Sequence, residues 1–164
     1  MKRFVYIASV LTLFLVVAQH ATAQQVALGE RAPKIKSDHW LDNNTPEKSQ
    51  YTYIEFVHSH TVPCLQTLLK IQRDNTLFGE NLQGVIITKE SPEQISETLR
   101  TSATEHICIA FDTEGDIFRQ FGVRYVPFGI IIDHKRRALW FGNPATLNED
   151  FFSKIKPQNN NDTH

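Results

Sequence analysis

Apolar residues along this chain fall into short blocks whose spacing changes from one stretch to the next. The first block is continuous, with Phe4 through Ala18 almost wholly apolar. Tyr51 to Val57 alternates weakly and is rich in aromatic and β-branched residues, which predicts a strand. Beyond Pro63, the positions Leu65, Leu68, Leu69 and Gln72 keep helical spacing to about Leu77, with Gly79 as a terminator. The run from Gly84 to Thr88 is short and apolar, as expected of a strand covered on both faces. Ser91-Pro92-Glu93-Gln94 then offers a capping serine, a proline suited to the first helical position and a glutamine able to complete a capping box. A helix is predicted from there, with Ile95 and Leu99 as its apolar stripe.

The second half continues the alternation. Ile107 to Phe111 reads as a further short strand, closed by Asp112 and a turn around Gly115. Ile117, Phe118 and Phe121 share one helical face, and Gly122 marks its C-terminal stop. Phe128 to Ile132 and Arg137 to Phe141 flank Asp133-His134-Lys135-Arg136, the pattern of a hairpin. Thr146-Leu147-Asn148-Glu149 is a second capping-box pattern leading into Phe151, Phe152 and Ile155. Crossover helices between the early strands favour parallel pairing, and the hairpin adds antiparallel strands. The expected class is α/β, a mixed central sheet flanked by helices.

The leading block changes the picture of where the protein works. Lys2-Arg3, the apolar run and the small residues Ala21-Thr22-Ala23 form the three-part pattern of a secretory signal peptide. The expected organisation is a signal peptide over 1–23, one domain over 24–156 and a disordered polar tail over 157–164. An uncleaved anchor is the alternative, although the apolar run falls short of the roughly 20 residues a span requires. The protein is therefore expected to be exported, periplasmic or secreted, without stable membrane insertion after cleavage. The formal net charge of −1 becomes −3 once Lys2 and Arg3 are removed. That mild acidity offers no field for nucleic acid and no polybasic patch for anionic lipid. The only cysteines are Cys64 and Cys108, too few for a disulfide-stapled scaffold, so the fold must rest on its apolar core.

Candidate chemistry concentrates at Thr61-Val62-Pro63-Cys64, between a predicted buried strand and the start of a predicted helix. From about Val26 to Ile155 the sequence resembles the TlpA-like branch of the thioredoxin superfamily, the exported redoxins of bacteria. The residues that carry the resemblance are Leu28-Gly29-Glu30-Arg31-Ala32-Pro33, the stretch from Phe56 to Cys64, Phe121-Gly122-Val123-Arg124-Tyr125-Val126-Pro127, Ile131-Ile132-Asp133, and Trp140-Phe141-Gly142-Asn143-Pro144. It implies a thioredoxin-like fold in which Pro127 is a cis-proline facing the active-site turn and Val126 offers its backbone to a peptide substrate. It also implies envelope protein thiols or disulfides as partners, and no cofactor.

Carried across by position, Thr61 occupies the place of the attacking cysteine and Cys64 that of the resolving one, while His60 replaces the usual tryptophan. A hydroxyl cannot form a disulfide, so the dithiol cycle cannot run on this turn. Two readings of Cys64 stay open: a thiol activated by the helix N-terminus, or a buried small hydrophobe. Cys108, between Ile107 and Ile109, is expected to be buried and inert. The resemblance implies a role in thiol–disulfide redox processes of the envelope, with reduced or monothiol activity, or else a non-catalytic module binding through the cis-proline groove. Peroxiredoxins also carry a Thr-x-x-Cys turn, but their proline falls at Val57 here and their arginine at Pro127. Copper chaperones of the Sco type suggest His58 and His60 beside Cys64 as metal candidates, provided that they share a face. Glu55 is expected to face solvent from an alternating strand, although some redoxins of this branch bury a carboxylate there for proton transfer.

Overall fold

A computed structural model describes residues 26–147. The signal-peptide region, the helix expected at Phe151, Phe152 and Ile155, and the polar tail lie outside them. Five strands form one sheet: β1 (Tyr51–Val57), β2 (Leu82–Thr88), β3 (Ile107–Phe111), β4 (Phe128–Asp133) and β5 (Ala138–Gly142), in the order β3-β2-β1-β4-β5. β1 pairs parallel with β2, and β2 parallel with β3. β4 runs antiparallel to β1 and to β5. The helices are α1 (Val62–Arg73), α2 (Glu97–Arg100) and α3 (Asp116–Gln120).

Alternation along the strands divides the core in two. Tyr53, Val57, Ile86, Ile109 and Ile131 pack with Cys64, Leu68 and Ile71 of α1 and Leu99 of α2. Ile54, Phe56, Val85, Ile87, Ile130 and Ile132 pack on the opposite face with Ile117, Phe118 and Phe121 around α3. Each face of the central strands is covered, which is why β2 is buried from end to end. Phe56 is the hub of the second layer. Its ring meets Phe118 edge-on at 4.9 Å and Phe121 at 5.3 Å between centroids.

Two predicted helices differ in detail. α1 begins at Val62, with Pro63 inside its first turn, and ends at Arg73; Asn75–Leu77 forms a separate 3-10 turn. Its buried face is Cys64, Thr67, Leu68 and Ile71, and Leu69 is exposed. The capping box at Ser91 forms only one turn. Gln94 N–H donates to the Ser91 carbonyl at 3.0 Å, and Ser91 N–H donates to Gln94 Oε1 at 3.1 Å. Propagation stops because other groups engage the backbone: the Gln94 carbonyl lies 2.7 Å from His60 Nε2, and Ser96 N–H donates to Ser59 Oγ at 2.7 Å. The helix starts afresh at Glu97, capped by Ser96 Oγ, which accepts from Leu99 N–H at 3.2 Å.

Phe56 has no exposed surface and Val62 is 66% exposed. Phe56→Ala is expected to cost about 3–5 kcal/mol of stability, and Val62→Ala within about 0.5 kcal/mol. Chemical denaturation of the two variants checks this, and equal losses would contradict the layered core.

Candidate functional site

Thr61 is the N-cap of α1, and Cys64 lies in its first turn. The Thr61 hydroxyl donates to the His58 carbonyl at 3.1 Å, and its oxygen accepts no capping bond from the helix's N–H groups. Cys64 Sγ points into the core, has no exposed surface, and accepts from His58 N–H at 3.4 Å. Burial raises its thiol pKa, outweighing the Thr61 hydroxyl and the His58 N–H, which favour the thiolate; the Glu55 and Glu90 carboxylates act against it as well. The helix terminus therefore does not yield an activated, open thiol. Cys108 is also fully buried and free, and burial pushes its thiol up to about 11.

Glu55 corrects the sequence reading. It stands in β1 on the side covered by α1 and has no exposed surface. Alternation suggested solvent because it assumes one wet face, and this strand has none. Thr67 Oγ1 lies 2.6 Å from Glu55 Oε1 and 2.9 Å from the Cys64 carbonyl, while the Tyr53 hydroxyl closely approaches Oε2. Burial raises the Glu55 carboxyl to about 7, against the opposing pull of Thr67, Tyr53 and the Lys70 ammonium. Burial, with the neighbouring Glu55 charge, also holds the Tyr53 phenol well above its usual range.

A second buried carboxylate supports the turn from the other side. The pairing of Val57 with Thr88 continues the two chains so that Glu90 comes to Ser59. Ser59 N–H donates to Glu90 Oε2 at 2.7 Å and Ser59 Oγ donates to Oε1 at 2.9 Å; Thr88 Oγ1 adds a bond to Oε2 at 2.8 Å. Burial pushes the Glu90 carboxyl up, but these donors and His58 together hold it below the usual carboxylate range. His58 Nδ1 lies 3.7 Å and His60 Nε2 3.5 Å from the same Oε1. The two imidazoles thus approach one carboxylate. Among the described residues, no three His, Cys, Asp or Glu side chains form a group that could hold a metal ion.

The Val126–Pro127 bond is cis, as the resemblance implied. Phe56 pairs with Phe128, so the chain just before β4 returns beside the chain just after β1. Val126 and His58 accordingly line one open pocket. The structure gathers Thr61, Cys64, His58, His60 and Val126–Pro127 at one end of the sheet. Sequence reasoning missed Ser59, Thr67, Thr88 and Glu90. Thr67 was detectable as the residue one helical turn beyond Cys64, and Glu90 as the first carboxylate after a fully covered strand.

No family model matches the chain, and no curated protein matches it. Solved structures do. The thioredoxin domain of a thiol-disulfide oxidoreductase from Bacteroides vulgatus superimposes with a TM-score of 0.63 at 13% identity, covering 80% of this chain and 96% of that one. A thioredoxin-like protein from Parabacteroides distasonis gives 0.59 at 15% identity, with 80% and 96% covered. StoA from Bacillus subtilis gives 0.50 at 18% identity, with 66% and 84% covered. At these identities the likeness concerns the fold, which is thioredoxin-like.

Glu55 generates a pH prediction. Its folded pKa of about 7 lies above the ordinary carboxyl value of 4.5. Between those values the folded state holds more protons than the unfolded one, so this group's contribution to stability falls as pH rises through that window. The loss amounts to about 3 kcal/mol in total. Glu55→Gln keeps an acceptor for Thr67 and is expected to flatten the profile between about pH 5 and 8. Urea midpoints across that range measure it, and an unchanged slope in the variant would remove Glu55 as the source.

Proposed function

With a thioredoxin-like fold as the premise, we propose that this protein is an exported, TlpA-like redoxin of the thiol–disulfide redox processes of the cell envelope, with at most monothiol activity through Cys64. The observation that supports this reading is that His58, just before the Thr61–Cys64 turn, lines one pocket with Val126, which precedes the cis Pro127, at one end of the sheet. Export rests on Lys2-Arg3, the apolar run and Ala21–Ala23. Among the described residues, no helix is long and apolar enough to cross a membrane.

The chemistry open to a single thiol is limited. The Cys64 thiolate attacks one sulfur of a client disulfide; the client S–S bond breaks, a mixed disulfide forms, and the departing client thiolate takes up a proton. Release requires external thiols, from a small molecule or another protein. One thiolate attacks the mixed disulfide, expels the client thiolate and is left bonded to Cys64. A second then attacks that bond, which frees the Cys64 thiolate and leaves the two external sulfurs as a disulfide. Thr61 cannot supply the second sulfur. A second reading is favoured by one observation, the complete burial of Cys64. In it the protein holds clients in the cis-proline groove and performs no sulfur chemistry.

Alkylation separates the two. Under the redox reading, native Cys64 reacts with iodoacetamide faster than Cys108, though more slowly than a free cysteine because burial disfavours its thiolate. Rates read site by site by mass spectrometry decide it. Labelling of Cys64 only as fast as the whole protein unfolds would leave the binding reading in its place.

A complementary variant tests the assigned positions. The wild type is expected to reduce insulin negligibly, and Thr61→Cys is expected to form a disulfide with Cys64, visible by mass and by thiol titration. A folded Thr61→Cys protein that never forms that bond would show that the turn is not a redox turn.

A further inference from the structure

Beside the cis-proline segment lies an open pocket of about 210 Å³. Its apolar walls include Val57, Phe118, Val123 and Val126, and Lys89 and Arg124 bring two cations to it. The Lys89 ammonium lies 4.6 Å from the centroid of the Phe118 ring, which orients it at the wall. Neither Lys89 nor Arg124 makes an ion pair among the described residues, whereas Arg73, Arg119 and Arg137 each pair with an aspartate. Glu90, which follows Lys89 in the chain, is engaged by Ser59 and Thr88 and lies beside His58. The protein as a whole is slightly acidic, so this cationic wall is a local feature and not part of a general basic field.

Its surroundings suit a chain rather than a free ion. Tyr125, 63% exposed, stacks edge-on against Phe128, whose ring lies 6.3 Å from that of the part-exposed Phe141. This is an apolar shelf next to a pocket about the size of a side chain, smaller than those that enclose drug-sized ligands. A ligand matched to both parts has apolar groups for the shelf and an anionic group for the pocket.

We propose that this surface docks an extended segment of a partner protein in which apolar residues alternate with Asp or Glu, and that Lys89 and Arg124 receive an acidic side chain. The proposal deepens the preceding reading by giving its protein client a sequence character, and rests on it only in taking this face as the one presented to clients. Alternate side chains of an extended segment point to opposite sides, so a carboxylate can enter the pocket while its neighbours lie on the shelf. Two exposed cations add affinity modestly, and their larger effect is discrimination against basic segments.

The test uses the reduced full-length protein and three sulfur-free fluorescent peptides of equal length, alternating valine with aspartate, serine or lysine. Fluorescence anisotropy is expected to show binding in the order aspartate, serine, lysine, with about tenfold between the extremes, weakening as salt rises to about 0.15 M. Lys89→Ala and Arg124→Ala should each weaken the aspartate peptide about two- to fivefold, and Arg73→Ala, outside the pocket, should leave it unchanged. Both pocket residues are exposed; should an alanine variant shift the thermal midpoint, the glutamine variants retain the stem. Equal binding of all three peptides, or an unaltered affinity in the double variant, overturns the proposal. So does complete displacement by acetate at an equal carboxylate concentration, which would mark a small-anion site. Because the peptides carry no sulfur, this result is independent of Cys64 alkylation, and each reading can fail alone.

Discussion

Strand pairing on both sides of β1 determines which loops can meet at its C-terminal end. On one side β1 runs parallel with β2 to the pairing of Val57 with Thr88, which carries Ser59 and the histidines to Glu90. On the other it runs antiparallel with β4 to the pairing of Phe56 with Phe128, which returns Val126–Pro127 to the same end. The turn that opens α1 is continuous with β1 itself. Three segments far apart in sequence therefore converge with little freedom. A register slip of one residue would exchange the two core faces and separate them, which makes the arrangement costly to lose.

Covering both faces of β1 has an electrostatic consequence. Every polar group on that strand must find a partner inside the protein, because burying an unpaired one costs more than the bond would have gained. Glu55 meets this demand through Tyr53 and Thr67, and Thr67 ties it to the backbone of Cys64. The Thr67 hydroxyl has one proton to give, so it serves either the carboxylate or the Cys64 carbonyl at a time. When Glu55 is protonated it can donate to Thr67 Oγ1 and free the hydroxyl proton for that carbonyl. The hydrogen bonding beneath the turn thus depends on a carboxyl that titrates near neutrality, while Glu90 above it stays ionised through its set of donors.

A fold of this kind does not by itself carry the usual chemistry. The scaffold holds a cis-proline segment, a helix-opening turn and a buried carboxylate, while the turn begins with Thr61 and Cys64 is turned into the core. Function resides in the site and not in the architecture. What this architecture leaves open at the surface is the pocket lined by Lys89 and Arg124, and the aromatic shelf beside it.

Much of this protein was legible in its residue order, for reasons that are local. Apolar runs and punctuating turn residues located all five strands, because strand burial writes itself into composition and Gly or Asp marks where pairing must stop. Spacing also identified Ile117, Phe118 and Phe121 as a buried face, and the absence of a second sulfur at Thr61 needs no coordinates at all. Other features depended on partners distant in sequence. Ser91 to Gln94 has the local makings of a helix, but His60 and Ser59 engage its backbone, so the helix begins at Glu97. Glu55 alternates like an exposed residue and is buried because α1 lies over it. Glu90 and Thr67 join the site only through β-pairing and helix packing. Local sequence encodes propensity and pattern; which polar groups are desolvated together is decided when layers close over one another, and only the tertiary structure contains that.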